Sequence, residues 1–330
     1  MEACLGSTSN SNKGTIVIDV PPYFDFEHCL THLKRGDNDV LVTVHGHRVS
    51  KALDVNGVPM ILELSSEASH GVEGNNQREP QPQSQLHATV YGLSHHRLAS
   101  VDWEAAVRTE IDEWFDLQRD LRPFYAFAER DPILAPLAKR YSGLRIIGSS
   151  SLYHSLCWAI MGQQITMSFA ATLKRRFVQQ FGEYIEHDGE RFYLFPRPEV
   201  VAKLTPEQVM PLQFSRKKAE YLIEVAVQIA SGRLSKKQLI ALNSFSDAVK
   251  QLTAIRGIGA WTANSVLMHC LRNPRAFPLA DVGLHNAIKR LLKLEHKPSL
   301  AEMEQYGTRW AGWEAYATFY LWRSLDDEWG

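Results

Sequence analysis

The sequence predicts an α+β fold, in which a small antiparallel β-rich domain precedes a mostly α-helical domain. Two observations predict it. Between residues 14 and 100, short runs of β-branched or alternating apolar residues are separated by Gly, Pro, Asn and Asp, which is typical of antiparallel strands. From Trp103 onward, apolar residues recur at the three- and four-residue spacing of amphipathic helices. With 330 residues, the chain is long enough for two or three domains.

The β-rich domain is predicted to span residues 14–115. Residues 1–13 are polar and lack the apolar stretch of a secretion signal, so we expect a disordered tail there. Residues 65–85 are rich in Ser, Glu, Asn, Gln and Pro and too polar to be buried, which predicts a flexible insertion. One helix is expected at residues 26–33. Strands are expected at residues 14–20, 39–49, 58–64 and 86–93.

Residues 116–330 are predicted to form the helical domain. A helix that begins near Leu152 should end at Gly162, and Ser215 should cap a further long helix. Residues 183–198 are expected to hold a small hairpin or a loop. The last helical stretch is rich in aromatic residues, most of which we expect to pack in the core.

The composition argues against several classes of protein. No apolar run is long enough to span a bilayer, so we expect no membrane partner and an intracellular location. The four cysteines are widely scattered, which fits buried thiols better than disulfides or a zinc site. The net charge of −1 conceals an asymmetry, because residues 1–130 carry 11 basic and 19 acidic side chains whereas residues 131–330 carry 25 and 18. The basic half is therefore the better candidate for binding nucleic acid.

One stretch in the basic half combines a glycine turn with a carboxylate. A helical pattern that ends near Leu252 leads into the turn, and a second pattern begins directly after Gly259. Because Gly257 and Gly259 have no Cβ, a phosphate can approach the N–H groups that open the second helix. Asp281 follows 20 residues after Trp261, just ahead of another amphipathic pattern. The stretch therefore predicts a phosphate-binding hairpin with an acidic residue downstream.

Residues 252–264, LTAIRGIGAWTAN, together with Asp281, resemble the helix-hairpin-helix (HhH-GPD) superfamily of DNA glycosylases, in particular the AlkA-type 3-methyladenine DNA glycosylase II branch. The resemblance covers residues 120–330 through motifs and residues 14–100 through architecture alone. It implies a monomeric enzyme of base-excision repair in the cytoplasm or nucleoid, or in a nucleus. Such an enzyme binds damaged double-stranded DNA, flips out an alkylated purine such as 3-methyladenine or 7-methylguanine, and releases it by hydrolysis.

Asp281 is the candidate catalytic residue. Cleavage of an N-glycosidic bond gives the sugar oxocarbenium character, so the enzyme needs fixed negative charge beside C1′. An aspartate ahead of an amphipathic helix is also a good N-cap, and the two roles are compatible. A carboxylate held there by the helix dipole suits electrostatic stabilisation better than proton donation.

The residue at position 261 bears on the type of reaction. Family members that also cut the DNA strand carry a lysine there, which forms a Schiff base with the sugar, whereas an indole cannot. Trp261 therefore predicts a monofunctional glycosylase. The resemblance also places Trp322 in the base pocket with Trp261, where electron-rich ring faces would attract a positively charged alkylated purine. The alternative for each tryptophan is ordinary core packing.

The resemblance implies further contacts with DNA. Gln163 and Gln164 are both expected to contact DNA from the turn formed by residues 162–165. Gln164 occupies the position of the side chain that fills the gap left by the flipped nucleotide. A plain polar turn and a solvated basic helix end stay open as alternatives. The remaining contacts are expected at Arg216, Lys218, Gly257, Gly259 and Thr262.

The resemblance also bears on cofactors. Hairpins of this type hold a monovalent cation, Na⁺ or K⁺, on main-chain carbonyls, which here belong to Thr253, Ile255 and Ile258. No cofactor is otherwise expected. An iron–sulfur cluster of the endonuclease III type is disfavoured because no cysteine follows Cys270.

Two other functions stay open on the sequence. One is a bifunctional glycosylase and abasic-site lyase that acts on oxidised bases. The other is a non-catalytic DNA-binding protein that uses the hairpin alone.

Overall fold

The N-terminal part of the chain forms an antiparallel sheet. The computed structural model of the protein describes residues 3–8, 12–34, 39–66, 85–92 and 94–327. Helix α1 (Phe26–Lys34) agrees with the predicted helix and buries Phe26, Cys29 and Leu30 in the same core as the sheet. The sheet has the strand order β2–β6–β5–β4–β3, and its strands are β2 (Lys13–Asp19), β3 (Thr43–His45), β4 (Arg48–Val55), β5 (Val58–Ser66) and β6 (Gln85–Gly92).

The single strand predicted at residues 39–49 was wrong. This segment contains β3 and the beginning of β4, joined by a tight turn in which Gly46 has a φ of +58°. Before β3, the Asp39 carboxylate accepts a hydrogen bond from the main-chain N–H of Leu41 at 3.1 Å. Such local bonds compete with strand pairing, so the chain turns at Asp39 instead of extending.

A second sheet includes residues 3–7 of the predicted disordered tail, whereas residues 1–2 and 9–11 of that tail lie outside the described residues. Strand β1 (Ala3–Ser7) pairs in parallel with β7 (Glu183–His187), which pairs in antiparallel fashion with β8 (Glu190–Tyr193). Residues 183–198 thus contain a hairpin, the first of the two predicted alternatives. The partner of β1 lies far along the chain, where local pattern gives no signal. The central part of the predicted insertion, residues 67–84, lies outside the described residues.

The remainder of the described chain is mostly helical, as predicted. No described helix is both long and apolar enough to cross a membrane. The helices after α1 are α2 (His95–Ala99), α3 (Trp103–Phe115), α4 (Arg122–Ala128), α5 (Leu134–Arg140), α6 (Leu152–Gly162), α7 (Met167–Phe181), α8 (Pro198–Val201), α9 (Pro206–Val209), α10 (Arg216–Ala230), α11 (Lys236–Ala241), α12 (Phe245–Thr253), α13 (Ala260–His269), α14 (Val282–Leu291), α15 (Leu300–Arg309) and α16 (Glu314–Ser324).

One apolar core runs from the five-stranded sheet into the helices. At the junction, the buried Arg145 guanidinium donates hydrogen bonds to the main-chain carbonyls of Pro22, Tyr23, Asp116 and Arg119. A buried cation needs such partners, and these tie the segment after β2 to the end of α3. The division of the chain at residue 115 stays a prediction, because the core is continuous across it.

Candidate active site

Asp281 lies at the start of α14 and is held by three donors. Its Oδ1 accepts hydrogen bonds from the main-chain N–H of Leu284 at 2.7 Å and from the Trp322 indole at 2.8 Å. Its Oδ2 accepts a hydrogen bond from the Trp261 indole at 2.8 Å. The bond to Leu284 makes Asp281 the N-cap of α14, as the sequence predicted. The two indole bonds fix the rotation of the carboxylate as well as its position.

Trp261 and Trp322 come from α13 and α16 and meet at this carboxylate. Both side chains are half-buried and pack on the core, as the packing alternative expects. The prediction for these two residues concerned their ring faces, not their N–H groups. Their N–H groups had no signal in the sequence, because each bond joins a different pair of helices. The base pocket itself stays a prediction, because the contacts of the two indoles described here are their hydrogen bonds to the Asp281 carboxylate.

Gly283 allows Trp322 to approach α14. A Cβ at position 283 would lie 3.0 Å from Asp281 Oδ1 and 3.4 Å from Trp322 Cδ1 and Nε1. Most side chains would therefore displace the indole or the carboxylate by a few tenths of an ångström. Gly283 was not predicted to belong to the site, although its position two residues after Asp281 is visible in the sequence.

The His269 ring stacks on the Trp322 ring. The two rings are parallel within 6°, with centroids 6.0 Å apart. The His269 Nδ1 lies 2.8 Å from the Ile147 carbonyl, which can only accept, so Nδ1 carries the proton. Burial lowers the pKa of His269 to about 4, and the imidazole is therefore neutral at physiological pH. His269 was not among the predicted site residues, because a histidine in the last turn of a helix has no distinguishing sequence pattern.

The two hairpin glycines lie in different environments. The hairpin is defined here as residues 254–259. Gly257 has a φ of +89°, and a Cβ there would lie 2.3 Å from the Tyr221 ring. Gly259 has a φ of −91° and precedes α13 without a side-chain cap, and a Cβ there would meet no atom within 4 Å. The space that the sequence analysis reserved for a phosphate is therefore at Gly259, whereas Gly257 accommodates Tyr221.

The turn between α6 and α7, residues 163–165, contacts the hairpin and is called the wedge turn below. The Gln163 side-chain amide donates hydrogen bonds to the Gly257 carbonyl at 2.8 Å and to Thr262 Oγ1 at 3.0 Å. Thr262 is buried and its hydroxyl bonds Gln163, so the predicted contact of Thr262 with DNA has no exposed side-chain group to make it. Gln164 is exposed and has a φ of +58°.

The two predicted basic contacts have protein partners. Lys218 Nζ donates to the Met161 carbonyl at 2.8 Å, and desolvation lowers the pKa of Lys218. The Arg216 guanidinium pairs with Glu207 at 2.7 Å. An exposed pair of this kind contributes little stability, so Arg216 can exchange its partner for a phosphate at small cost.

A cleft of about 580 Å³ lies between the wedge turn, the start of α10 and the hairpin, and neither Asp281 nor the two indoles line it. Its lining includes the three predicted cation ligands, Thr253, Ile255 and Ile258. The Ile255 carbonyl accepts a hydrogen bond from the Ile258 N–H at 3.0 Å and retains a second lone pair, which is compatible with a cation. The lining is completed by Gln163, Gln164, Ser215, Lys217, Lys218, Tyr221, Ala254, Arg256, Gly257 and Gly259.

Comparisons with known proteins agree with this architecture. The family model described as HhH-GPD superfamily base excision DNA repair protein matches residues 157–312. A DNA-3-methyladenine glycosylase of Bacillus subtilis is 40% identical over 310 residues, which are 94% of this chain and 97% of the relative. The DNA-3-methyladenine glycosylase 2 of Escherichia coli is 30% identical over 191 residues, which are 57% of this chain and 63% of the relative.

A solved structure shares the fold over almost the whole length. The 3-methyladenine DNA glycosylase from Archaeoglobus fulgidus superposes with a TM-score of 0.76 at 23% identity and covers 94% of this chain and 98% of its own. The predicted α+β architecture is therefore confirmed. The chain belongs to the HhH-GPD superfamily of base excision DNA repair proteins.

Proposed function

We propose that the protein is a monofunctional DNA glycosylase that binds damaged double-stranded DNA, flips out alkylated purines of the 3-methyladenine or 7-methylguanine type, and releases them by hydrolysis. The proposal rests on the Asp281 carboxylate, which the Trp261 and Trp322 indoles hold with one hydrogen bond each. The 40% identical relative named DNA-3-methyladenine glycosylase supports the same activity.

The role of Asp281 is electrostatic. As the N-glycosidic bond lengthens, positive charge develops on the sugar, and a carboxylate already fixed in place stabilises it without reorganisation. The Leu284, Trp261 and Trp322 donors supply that fixation. An alkylated purine carries positive charge and leaves as a neutral base, so little protonation of the leaving group is needed. Water then attacks the sugar and completes the hydrolysis.

The surroundings of Trp322 favour a cationic base. The ring behind it, His269, is neutral because its pKa is about 4. A cation at that place would repel a positively charged purine and weaken its attraction to the indole face. The neutral imidazole leaves the aromatic surface attractive to such a base.

The indole at position 261 argues for a monofunctional reaction. It donates to Asp281 and offers no amine for a Schiff base with the sugar. Incubation with abasic DNA and borohydride should therefore trap no covalent adduct. A trapped adduct would favour the lyase alternative instead.

The experiment that tests the proposal compares two capping aspartates. Asp281→Asn removes the charge and places an amide against the Trp261 N–H, and we expect release of methylated purines to fall at least about 100-fold. Asp102→Asn is the matched control, because Asp102 caps α3 through the Ala105 N–H at 3.1 Å, far along the chain from this site. Its base release should be unchanged. Native base release by Asp281→Asn would indicate a non-catalytic DNA-binding protein.

The partner and cofactor assignments belong to the same proposal. DNA would lie across the hairpin, with phosphates at the open start of α13 and with Gln164 in the gap left by the flipped nucleotide. A Na⁺ or K⁺ ion on the carbonyls of Thr253, Ile255 and Ile258 would stiffen the hairpin. The protein would act as a monomer, in the compartment that holds the DNA, without an iron–sulfur cluster.

A further inference from the structure

Gln163 joins the wedge turn to the hairpin. It is the residue after α6, and its side-chain amide donates both of its protons across to the hairpin side. One proton reaches the Gly257 carbonyl at 2.8 Å and the other reaches Thr262 Oγ1 at 3.0 Å. Thr262 is buried in the first turn of α13. The amide therefore links the end of one helix to the turn and the first turn of another.

The next residue, Gln164, depends on this link. Its φ of +58° is costly for a residue other than glycine, so its neighbours must hold the turn in place. On one side Gln163 is bonded to the hairpin, and on the other Ile165 packs against the apolar core. The exposed Gln164 side chain itself projects from a backbone that is anchored at both ends.

We propose that Gln163 is a positioning residue, which fixes the distance between the hairpin that grips the DNA backbone and the Gln164 side chain that replaces the flipped nucleotide. This inference rests on the proposed function. With the link intact, binding of the phosphates places Gln164 at the gap without further loss of freedom. With the link broken, the hairpin still grips DNA, but Gln164 samples other positions and the flipped state is less populated.

The chemistry at position 163 requires a primary amide. The Gly257 carbonyl can only accept, and Thr262 Oγ1 accepts as well, so the two N–H groups of the Gln163 amide satisfy both partners. Glutamate at this position would turn a carboxylate oxygen toward the Gly257 carbonyl, where two acceptors repel each other. Gln163→Glu is therefore close to isosteric and makes the contact with the Gly257 carbonyl repulsive, whereas the Thr262 hydroxyl can turn and donate to the new carboxylate.

The experiment measures two things separately: the affinity of the protein for duplex DNA, and the insertion of the Gln164 side chain into the duplex. A duplex that carries a tetrahydrofuran abasic analogue opposite 2-aminopurine reports insertion of Gln164 by fluorescence and needs no catalysis. For Gln163→Glu and Gln163→Ala we expect the insertion signal and the rate of methylpurine release to fall roughly tenfold, the loss expected for broken hydrogen bonds. Affinity for undamaged duplex should change less than about threefold. Gln228→Ala is the matched control, because it removes an amide that bonds Glu224 within α10.

A second substitution distinguishes positioning from a direct role. In a Gln164→Ala background, Gln163→Ala should cause little further loss, because the residue it positions is absent. Fully additive losses, or an equal fall in insertion and in affinity for undamaged duplex, would overturn the inference. If Gln163→Ala does not fold, Thr262→Val removes one of the two acceptors in a nearly isosteric side chain. Absence of base release by the unaltered protein would refute the proposed function, whereas the insertion signal still tests Gln163.

Discussion

Helices α13 and α14 begin in opposite ways. Helix α14 begins at Asp281, whose carboxylate accepts the Leu284 N–H and two indole N–H groups. Helix α13 begins after Gly259, without a side-chain cap and with open space around the glycine. Unpaired N–H groups at a helix start attract anions, whereas a capping carboxylate places a negative charge there. Under the proposed function, the open start of α13 would bind a phosphate and the carboxylate at the start of α14 would stabilise the developing cation.

The largest expected effect concerns the two hairpin glycines. Gly257→Ala should lower the free energy of unfolding by about 2–4 kcal/mol, because the backbone has a φ of +89° and the Tyr221 ring occupies the space of the new methyl group. Gly259→Ala should change it by less than about 0.5 kcal/mol. Urea unfolding measures both. If both variants lost the same free energy of unfolding, the two glycines would not lie in the different environments described above.

The open start of α13 can be converted into a capped one. Gly259→Asp suits the extended backbone, with φ −91° and ψ 178°, and should stabilise the fold by roughly 0.3 kcal/mol. It should also weaken binding to all duplexes alike by roughly 30-fold, because the carboxylate occupies the N–H groups and repels phosphate. Gly259→Ser supplies a cap without charge and should lose less. Fluorescence anisotropy measures the affinities, and unchanged binding by Gly259→Asp would place the phosphate elsewhere.

His269, in the last turn of α13, should make the stability of the protein depend on pH. The pKa of His269 is about 4 in the folded protein, against an ordinary 6.5. Between these pH values the His269 imidazole is therefore protonated only in the unfolded chain. The stability present above pH 6.5 is therefore lost as the pH falls toward 4. Between pH 7 and 5 we expect a loss of about 2 kcal/mol from this residue. His269→Asn, whose Nδ2 can donate to Ile147, should reduce the pH slope in urea titrations, and an unchanged slope would contradict the assignment.

The indole bonds to Asp281 can be removed while aromatic rings are kept. Trp322→Phe and Trp261→Phe should each lower base release by roughly tenfold, because the carboxylate loses one donor to a charged group. Affinity for undamaged DNA should be retained. Trp310→Phe is the matched control, since the Trp310 indole donates to another carboxylate, Asp131, at 3.0 Å. Equal effects on base release in all three variants would attribute the loss to general destabilisation.

The smallest expected effect belongs to Gly283. Gly283→Ala should stabilise α14 by roughly 0.5–1 kcal/mol through helix propensity. It should nevertheless slow base release two- to fivefold, because the methyl group lies about 3 Å from Asp281 Oδ1 and crowds Trp322. Thermal unfolding and single-turnover kinetics on one preparation measure the two changes. A variant that is both more stable and equally active would show that the indole has room to adjust.

Much of the site was predictable because its signals are local. Asp281 precedes an amphipathic pattern, so its capping role follows from adjacent residues, and the glycine turn before α13 is visible in the same way. The residues that hold Asp281 were only partly predictable. Trp261 and Trp322 were assigned to the site, yet their N–H bonds to the carboxylate depend on the packing of three helices against one another.

Other features could not be predicted because each is a contact between distant parts of the chain. Strand β1 pairs with β7 although its own residues look like a polar tail. Gly257 was assigned to phosphate approach, whereas the Tyr221 ring from α10 occupies the space beside it. Gln163 was assigned to DNA, whereas its amide is bonded to the hairpin.

The sequence by itself determined where most helices and the strands β2, β5 and β6 lie, which residue caps α14 and where the open helix start falls. These features depend on spacing, capping and backbone freedom among neighbours. Only the tertiary structure decided what each side chain contacts. Hydrogen bonds and ring contacts form over a few ångströms between residues that can be 20 to 180 positions apart, and their geometry is set by how the helices and sheets pack.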